Sequence, residues 1–170
     1  MNGPKLIHPA YLETHFRHEK AISDWPEKFA IITAFATTGE IWTTERNRSA
    51  DRALEGEFQA SGRWHQRVTG YSTTTGHAEP GWTVEMTLSD ACDHGLRYLQ
   101  DAIYFVSGDQ LRGILCEEPR ESLLIGSFVS VVPSTLRGLL LQQIHRCHSF
   151  RIYDTYEVRP PCGPACRCGL

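Results

Sequence analysis

The sequence predicts an α+β fold: a ferredoxin-like split βαβ core, with a mixed or antiparallel sheet carrying helices on one face, plus a C-terminal helix and strand. Three observations carry that prediction. Phe29 to Phe35 is a near-continuous apolar run of strand length, rich in β-formers, as in a central buried strand. Two capped segments, starting near Thr43 and Leu88, repeat apolar residues at helical spacing. The runs follow one another as strand, helix, strand, strand, helix, strand, strand, the split βαβ plan with an added edge strand.

Taken in order, Pro9 to Lys20 reads as a short helix with Leu12, Phe16 and Tyr11 inward. His15 and His18 share a face at metal-ligand spacing, but no third ligand follows, so they read as solvated histidines. Trp25-Pro26 breaks the segment. After the apolar strand, Ala36 to Gly39 is a loop at a strand C-terminus, a favoured place for ligands in layered folds. The next helix runs to about Ser61, with Ala50, Leu54 and Phe58 inward, Asp51, Arg52, Glu55 and Glu57 facing water, and Gly62 as its stop.

Arg63 to Tyr71 alternates as a strand, and Gly70 to Gly81 is a Thr- and Gly-rich loop carrying Tyr71, His77 and Glu79. Pro80 forces Glu79 into an extended conformation, because the proline ring clashes with a helical predecessor. Trp82 to Met86 is a half-buried strand. Ser89 caps a helix ending near Gln100, with Leu88 as staple and Cys92, Leu96 and Leu99 buried. Ala102 to Val106 and Leu111 to Cys116 form a hairpin across Ser107-Gly108-Asp109-Gln110. Glu121 to Val132 is one edge strand or two short ones. Beyond Pro133, a helix from Thr135 to His148 and a strand from Arg151 to Val158 precede an irregular tail. Residues 1–132 are thus read as the core and 133–170 as an extension packed on it.

The 170 residues suit one domain with a sizeable core. Their net charge of −3 gives no basic footprint for nucleic acid. No run is apolar enough to span a bilayer, and Met-Asn-Gly-Pro-Lys-Leu-Ile-His lacks the plan of a signal peptide. The expectation is a cytosolic protein whose cysteines are reduced thiols or metal ligands.

Four stretches carry a resemblance: F-A-I-I-T-A-F, E-R-N-R-S-A-D-R-A-L, H-A-E-P-G-W and Y-L-Q-D-A-I-Y-F-V. In this order the chain is similar to the bacterial domain of unknown function family 3293, over roughly residues 8–127. The resemblance implies a small cytosolic bacterial protein and no particular activity. It singles out Asn47 and Arg48, Glu79 to Gly81, and Gln100 to Ala102. The chain departs from the family pattern at Ala36-Thr37, where the family often has Asn-Pro, and at Leu99, where it often has Gly.

The leading functional reading is a site for a polar or anionic small ligand at the His77–Gly81 loop, made by Asn47, Arg48, Tyr71, His77, Glu79 and Gln100. Arg48 would hold an anion through its planar fork, and Glu79 with His77 could exchange protons, which makes a hydrolase a further reading. The structural alternative is that Glu79 accepts loop N–H groups and Gln100 ends its helix. A different class is an interaction module or homodimer using a sheet edge and the added helix. A zinc site is the remaining candidate, from Cys162, Cys166 and Cys168 with His145 and His148, although the C-x3-C-x-C spacing is not a paired C-x2-C pattern. Cys92 and Cys116 read as inert core thiols. No G-x-G-x-x-G, G-K-[ST] or H-E-x-x-H motif is present.

Overall fold

The computed structural model describes residues 6–37 and 39–132. The expected C-terminal helix and strand, and the histidines and cysteines of the candidate zinc site, lie outside the described residues.

A 3-10 turn, Pro9–Leu12, leads into β1, Thr14–Arg17. Then come β2, Lys28–Ile32; α1, Thr44–Ser61; β3, His65–Ser72; β4, Ala78–Val84; α2, Leu88–Arg97; and β5, Ala102–Ser107. The last strands are β6, Gln110–Leu115; β7, Ser122–Ser127; and β8, Ser130–Val131. They form one sheet in the order β7-β6-β5-β2-β4-β3-β1-β8. Its neighbours are antiparallel except β1 and β8, which run parallel.

The expected ferredoxin-like α+β core is overturned. Among the described residues the molecule is mostly β, a mixed eight-stranded sheet curled into a half-barrel with two helices. Residues 14–17 are the first cause. They were expected in a helix but join the sheet along β3, with Phe16 opposite Gly70. Burial alternates along Thr14-His15-Phe16-Arg17, the period of a strand. The second cause is the apolar character of both sheet faces. Ala30, Ile32, Val84, Ile103 and Ile114 pack under the helices. Phe16, Phe29, Ile31, Val68, Val106 and Leu111 line the opposite face, which no described helix covers. Curling buries that second face against itself, at about 25 cal/mol per Å² of apolar surface removed from water. Phe128, between the edge strands β7 and β8, closes the curl, its ring centroid 5.1 Å from Phe29 and 5.2 Å from Trp25.

The helices follow their caps. Thr43 accepts from the Arg46 N–H at the start of α1, and Gly62 ends it at φ 64°. Leu54 and Phe58 are buried as expected, and so is Asp51, which was expected in water. The Arg67 guanidinium on β3 meets its carboxylate in two 2.7 Å hydrogen bonds, and the Trp82 indole donates to it at 3.1 Å. The cap of α2 is Thr87, not Ser89. Cys92 is buried, whereas Leu96 and Leu99 are exposed, because the face of α2 against the sheet runs through Ala91, Cys92 and Gly95. No helix among the described residues is long and apolar enough to cross a membrane.

Candidate functional site

The inner face of the half-barrel holds a cavity of about 290 Å³. Its roof is the 3-10 turn with β1, which lay Tyr11, Thr14 and Phe16 over the sheet. Pro9 and the His8 cap start that turn. Its floor comes from β2 and β5, through Ile31, Ala102 and Tyr104. At one end are Thr33, Ala36 and Thr37, which follow β2, and at the mouth is the β3–β4 hairpin with Ser72, Thr75, His77 and Glu79.

The stretch expected as one long loop, Gly70 to Gly81, is mostly hairpin, with β3 reaching Ser72 and β4 starting at Ala78. Ser72 stabilises the turn by accepting from the Thr74 and Thr75 N–H groups. Two glycines let the strands approach here. A Cβ on Gly81 would lie 2.9 Å from the Ile32 carbonyl oxygen, and one on Gly70 would lie 3.2 Å from Thr14 Cγ2.

Two phenols occupy the deep end. The Tyr11 hydroxyl donates to the Ala102 carbonyl at 3.0 Å, and Tyr104 donates to the Tyr11 carbonyl at 3.2 Å. Their rings lie 5.1 Å apart, and Phe16 meets Tyr104 edge-on at 5.0 Å. Burial pushes both phenols above their ordinary value, and the nearby Glu79 charge adds to the rise in each. In Tyr104 a hydrogen bond with Thr14 works in the other direction.

Tyr71, His77, Glu79 and Gln100 all line this cavity. The Tyr71 ring is engaged outside it, 5.7 Å from His15 and under the Arg17 guanidinium at 5.3 Å. His77 Nε2 lies 3.5 Å from Glu79 Oε2, with the imidazole 71 % exposed and the carboxylate side chain 23 % exposed. Gln100 is buried, and its amide donates to the Phe35 and Tyr98 carbonyls, so it ties the segment after β2 to the end of α2.

Asn47 and Arg48 do not line the cavity. Asn47 Oδ1 accepts from the Ala36 N–H at 3.0 Å and fixes that cavity segment from behind, while Arg48 is exposed on α1. Its neighbour Arg46 stacks on Trp42 at 3.7 Å. The expected anion holder is therefore not at the cavity, because Asn47 faces the Ala36 segment and its neighbour Arg48 is exposed on α1.

Tyr11, Thr14 and Tyr104 were missed by the sequence reading. For the first two the missing signal was the period-two alternation from Thr14 to His18, which a helix assignment hid. Tyr104 sat in an expected strand whose inner face had no assigned partner.

The described thiols lie on the other side of the sheet. Cys92 and Cys116 are both buried under α2, and the hydrogen bond with Cys116 holds the Cys92 thiol below its ordinary value despite burial. Neither reaches the His77–Glu79 pair. Among the described residues no three His, Cys, Asp or Glu side chains converge to hold a metal.

Residues 32–103 match the model of a family described as a protein of unknown function, DUF3293. The match takes in α1, the β3–β4 hairpin, α2 and Gln100, and leaves out the roof residues Tyr11, Thr14 and Phe16. No curated protein and no solved structure matches the chain.

Proposed function

We propose that the protein binds a small polar molecule in the cavity under the 3-10 turn and β1. One observation carries this reading: four of the residues singled out from sequence, Tyr71, His77, Glu79 and Gln100, line the same concave space as a half-buried pair of phenols. At about 290 Å³ the space is at the small end of the roughly 300–1,000 Å³ of ligand pockets, which suits a metabolite-sized molecule. An apolar floor with a few converging polar groups is the usual composition of such a site.

The test is a set of 1H–15N spectra recorded with small amines, amides, alcohols and carboxylates. Ligands of this site shift the amides of Glu79, Gly81, Ala102 and Tyr104. Thr75→Trp, at the exposed mouth, removes those shifts while the rest of the spectrum stays folded. Shifts scattered elsewhere, or none from any compound, overturn the reading.

A second reading, pairing with another chain, draws on the sheet edges, where Leu123 and Leu124 on β7 and Val129 and Val131 at β8 are exposed. Light scattering across a concentration series tests it: a monomer throughout removes it.

A further inference from the structure

Resting on that cavity, we infer that its ligand is an organic ammonium ion, a protonated amine with an apolar body, whose charged head faces Glu79 and whose body lies against Tyr11, Phe16 and Tyr104.

The first argument concerns charge. The carboxylates that line the cavity are Glu13 and Glu79, and neither Lys nor Arg is among its described lining residues. Glu79 is the more enclosed member of the His77–Glu79 pair. It lines the same cavity as Tyr11 and Tyr104. An anionic ligand would enter this site with no Lys or Arg among the described lining residues to meet it, whereas an ammonium enters it favourably.

The second argument concerns hydrogen-bond direction. A hydroxyl has one proton and two lone pairs. The Tyr11 and Tyr104 protons go to the carbonyls of Ala102 and Tyr11. Thr33 donates to the Pro80 carbonyl at 3.0 Å and Thr37 to the Asp101 carboxylate at 3.3 Å. The Gln100 amide protons are turned to Phe35 and Tyr98. These side chains therefore offer acceptors to a guest. A ligand with several N–H donors and no need to accept fits them, and a primary ammonium has three. A carboxylate, an acceptor only, finds no donor among these groups and meets hydroxyl protons only toward the mouth, at Ser72 and Thr75, whose oxygens accept backbone N–H groups.

The third argument concerns the walls. Tyr104 meets Phe16 edge to face and Tyr11 at a tilt of 41°, and aromatic faces attract cations whose heads are desolvated. The apolar body of the ligand removes the remaining floor from water.

Affinities for benzylammonium, benzyl alcohol, benzoate and aniline test the inference at pH 7, read by titration of the Tyr104 and Gly81 amides. The four share a ring and differ in the head; aniline is a neutral amine at this pH. Benzylammonium binds at least about tenfold more tightly than the alcohol, as expected for a charge-assisted pair. Aniline behaves like the alcohol, and benzoate is the weakest. Glu79→Gln removes most of the preference for benzylammonium over benzyl alcohol. Equal binding of alcohol and ammonium, or a preference that survives Glu79→Gln, overturns the cationic assignment and leaves the cavity reading standing. If none of the four shifts these amides, the cavity reading falls with it. Should Glu79→Gln unfold, the comparison of benzylammonium with aniline on the unaltered chain decides the matter.

Discussion

The Arg67 guanidinium clamps the Asp51 carboxylate through two hydrogen bonds of 2.7 Å, and its plane lies 4.5 Å from the Trp82 ring centroid. This pair fastens α1 to the β3–β4 hairpin that carries Glu79. Asp51→Asn leaves a guanidinium facing a neutral group. The expected loss is about 2–3 kcal/mol, below the roughly 3–5 kcal/mol of a fully enclosed pair, because the Arg67 side chain is 32 % exposed. The double variant Asp51→Leu with Arg67→Leu loses less than the sum of the two single changes. Urea unfolding of the four proteins checks both statements.

Gly95 is where α2 touches the sheet most closely. A Cβ there would lie 2.5 Å from Cys116 Sγ and 2.9 Å from Ile103 Cγ2, both in the core. Gly95→Ala therefore destabilises by about 1–3 kcal/mol despite the better helix propensity of alanine. Adding Cys116→Ala recovers part of the loss by removing the sulfur. Thermal unfolding of the single and double variants reads this directly.

Leu99 sits at φ 60° after the end of α2 with its side chain largely in water. A left-handed backbone costs an L-residue about 1–2 kcal/mol, and glycine removes that strain while losing more entropy on folding. Leu99→Gly is expected to raise stability by about 0.5–1 kcal/mol, seen as a higher urea midpoint with an unchanged slope.

His18 is buried at the join of β1 and β8, its Nδ1 against Ser130 Oγ and its N–H bonded to the Val131 carbonyl at 3.1 Å. Burial lowers its pKa below the ordinary imidazole value. The unfolded chain therefore takes up the proton first as pH falls. The contribution of His18 is complete above about pH 6.5 and declines below it until the folded pKa is passed. The slope from this one group cannot exceed about 1.4 kcal/mol per pH unit. His18→Gln should flatten the dependence of the urea midpoint on pH between neutral and acidic buffers.

Asn47 reaches the cavity through the backbone of Ala36. Asn47→Ala loses about 1 kcal/mol, as for a typical hydrogen bond, and weakens benzylammonium binding by loosening the Ala36–Thr37 segment. Arg48→Ala, on the exposed side of α1, leaves both stability and binding within error. Binding lost with Arg48→Ala alone would restore the arginine to the site.

The helix α1 was legible because its signals are local. Thr43 and Gly62 mark its ends, and Leu54 and Phe58 recur at the period of one face. The β5–β6 hairpin was legible for the same reason, with Gly108 at φ 61° in its turn. Residues 14–17 were not, since four alternating residues satisfy a helix turn and a strand alike until a partner strand is present. Asp51 reads as a solvated acid on any helical wheel, and only Arg67, sixteen residues on, makes it a core residue. Of the candidate site, Tyr71, His77 and Glu79 are legible as polar residues of a glycine-bounded loop, whereas Asn47, Arg48 and Gln100 are singled out by the family resemblance, which does not record which way a side chain faces.

The sequence by itself determined the two helices, the strands between them and the polar mouth around Glu79, because caps, glycine turns and apolar periodicity act over a few residues. Tertiary structure alone decided that β1 joins the sheet beyond β3, that β7 and β8 take opposite edges, and that the sheet curls. The physical reason is the second apolar face: Phe16, Phe29, Ile31 and Val106 lie far apart in sequence, and burying them requires the strands to bend around one another. That same bending brings Tyr11 and Tyr104 together over Glu79's side of the sheet and makes a cavity that no local pattern records.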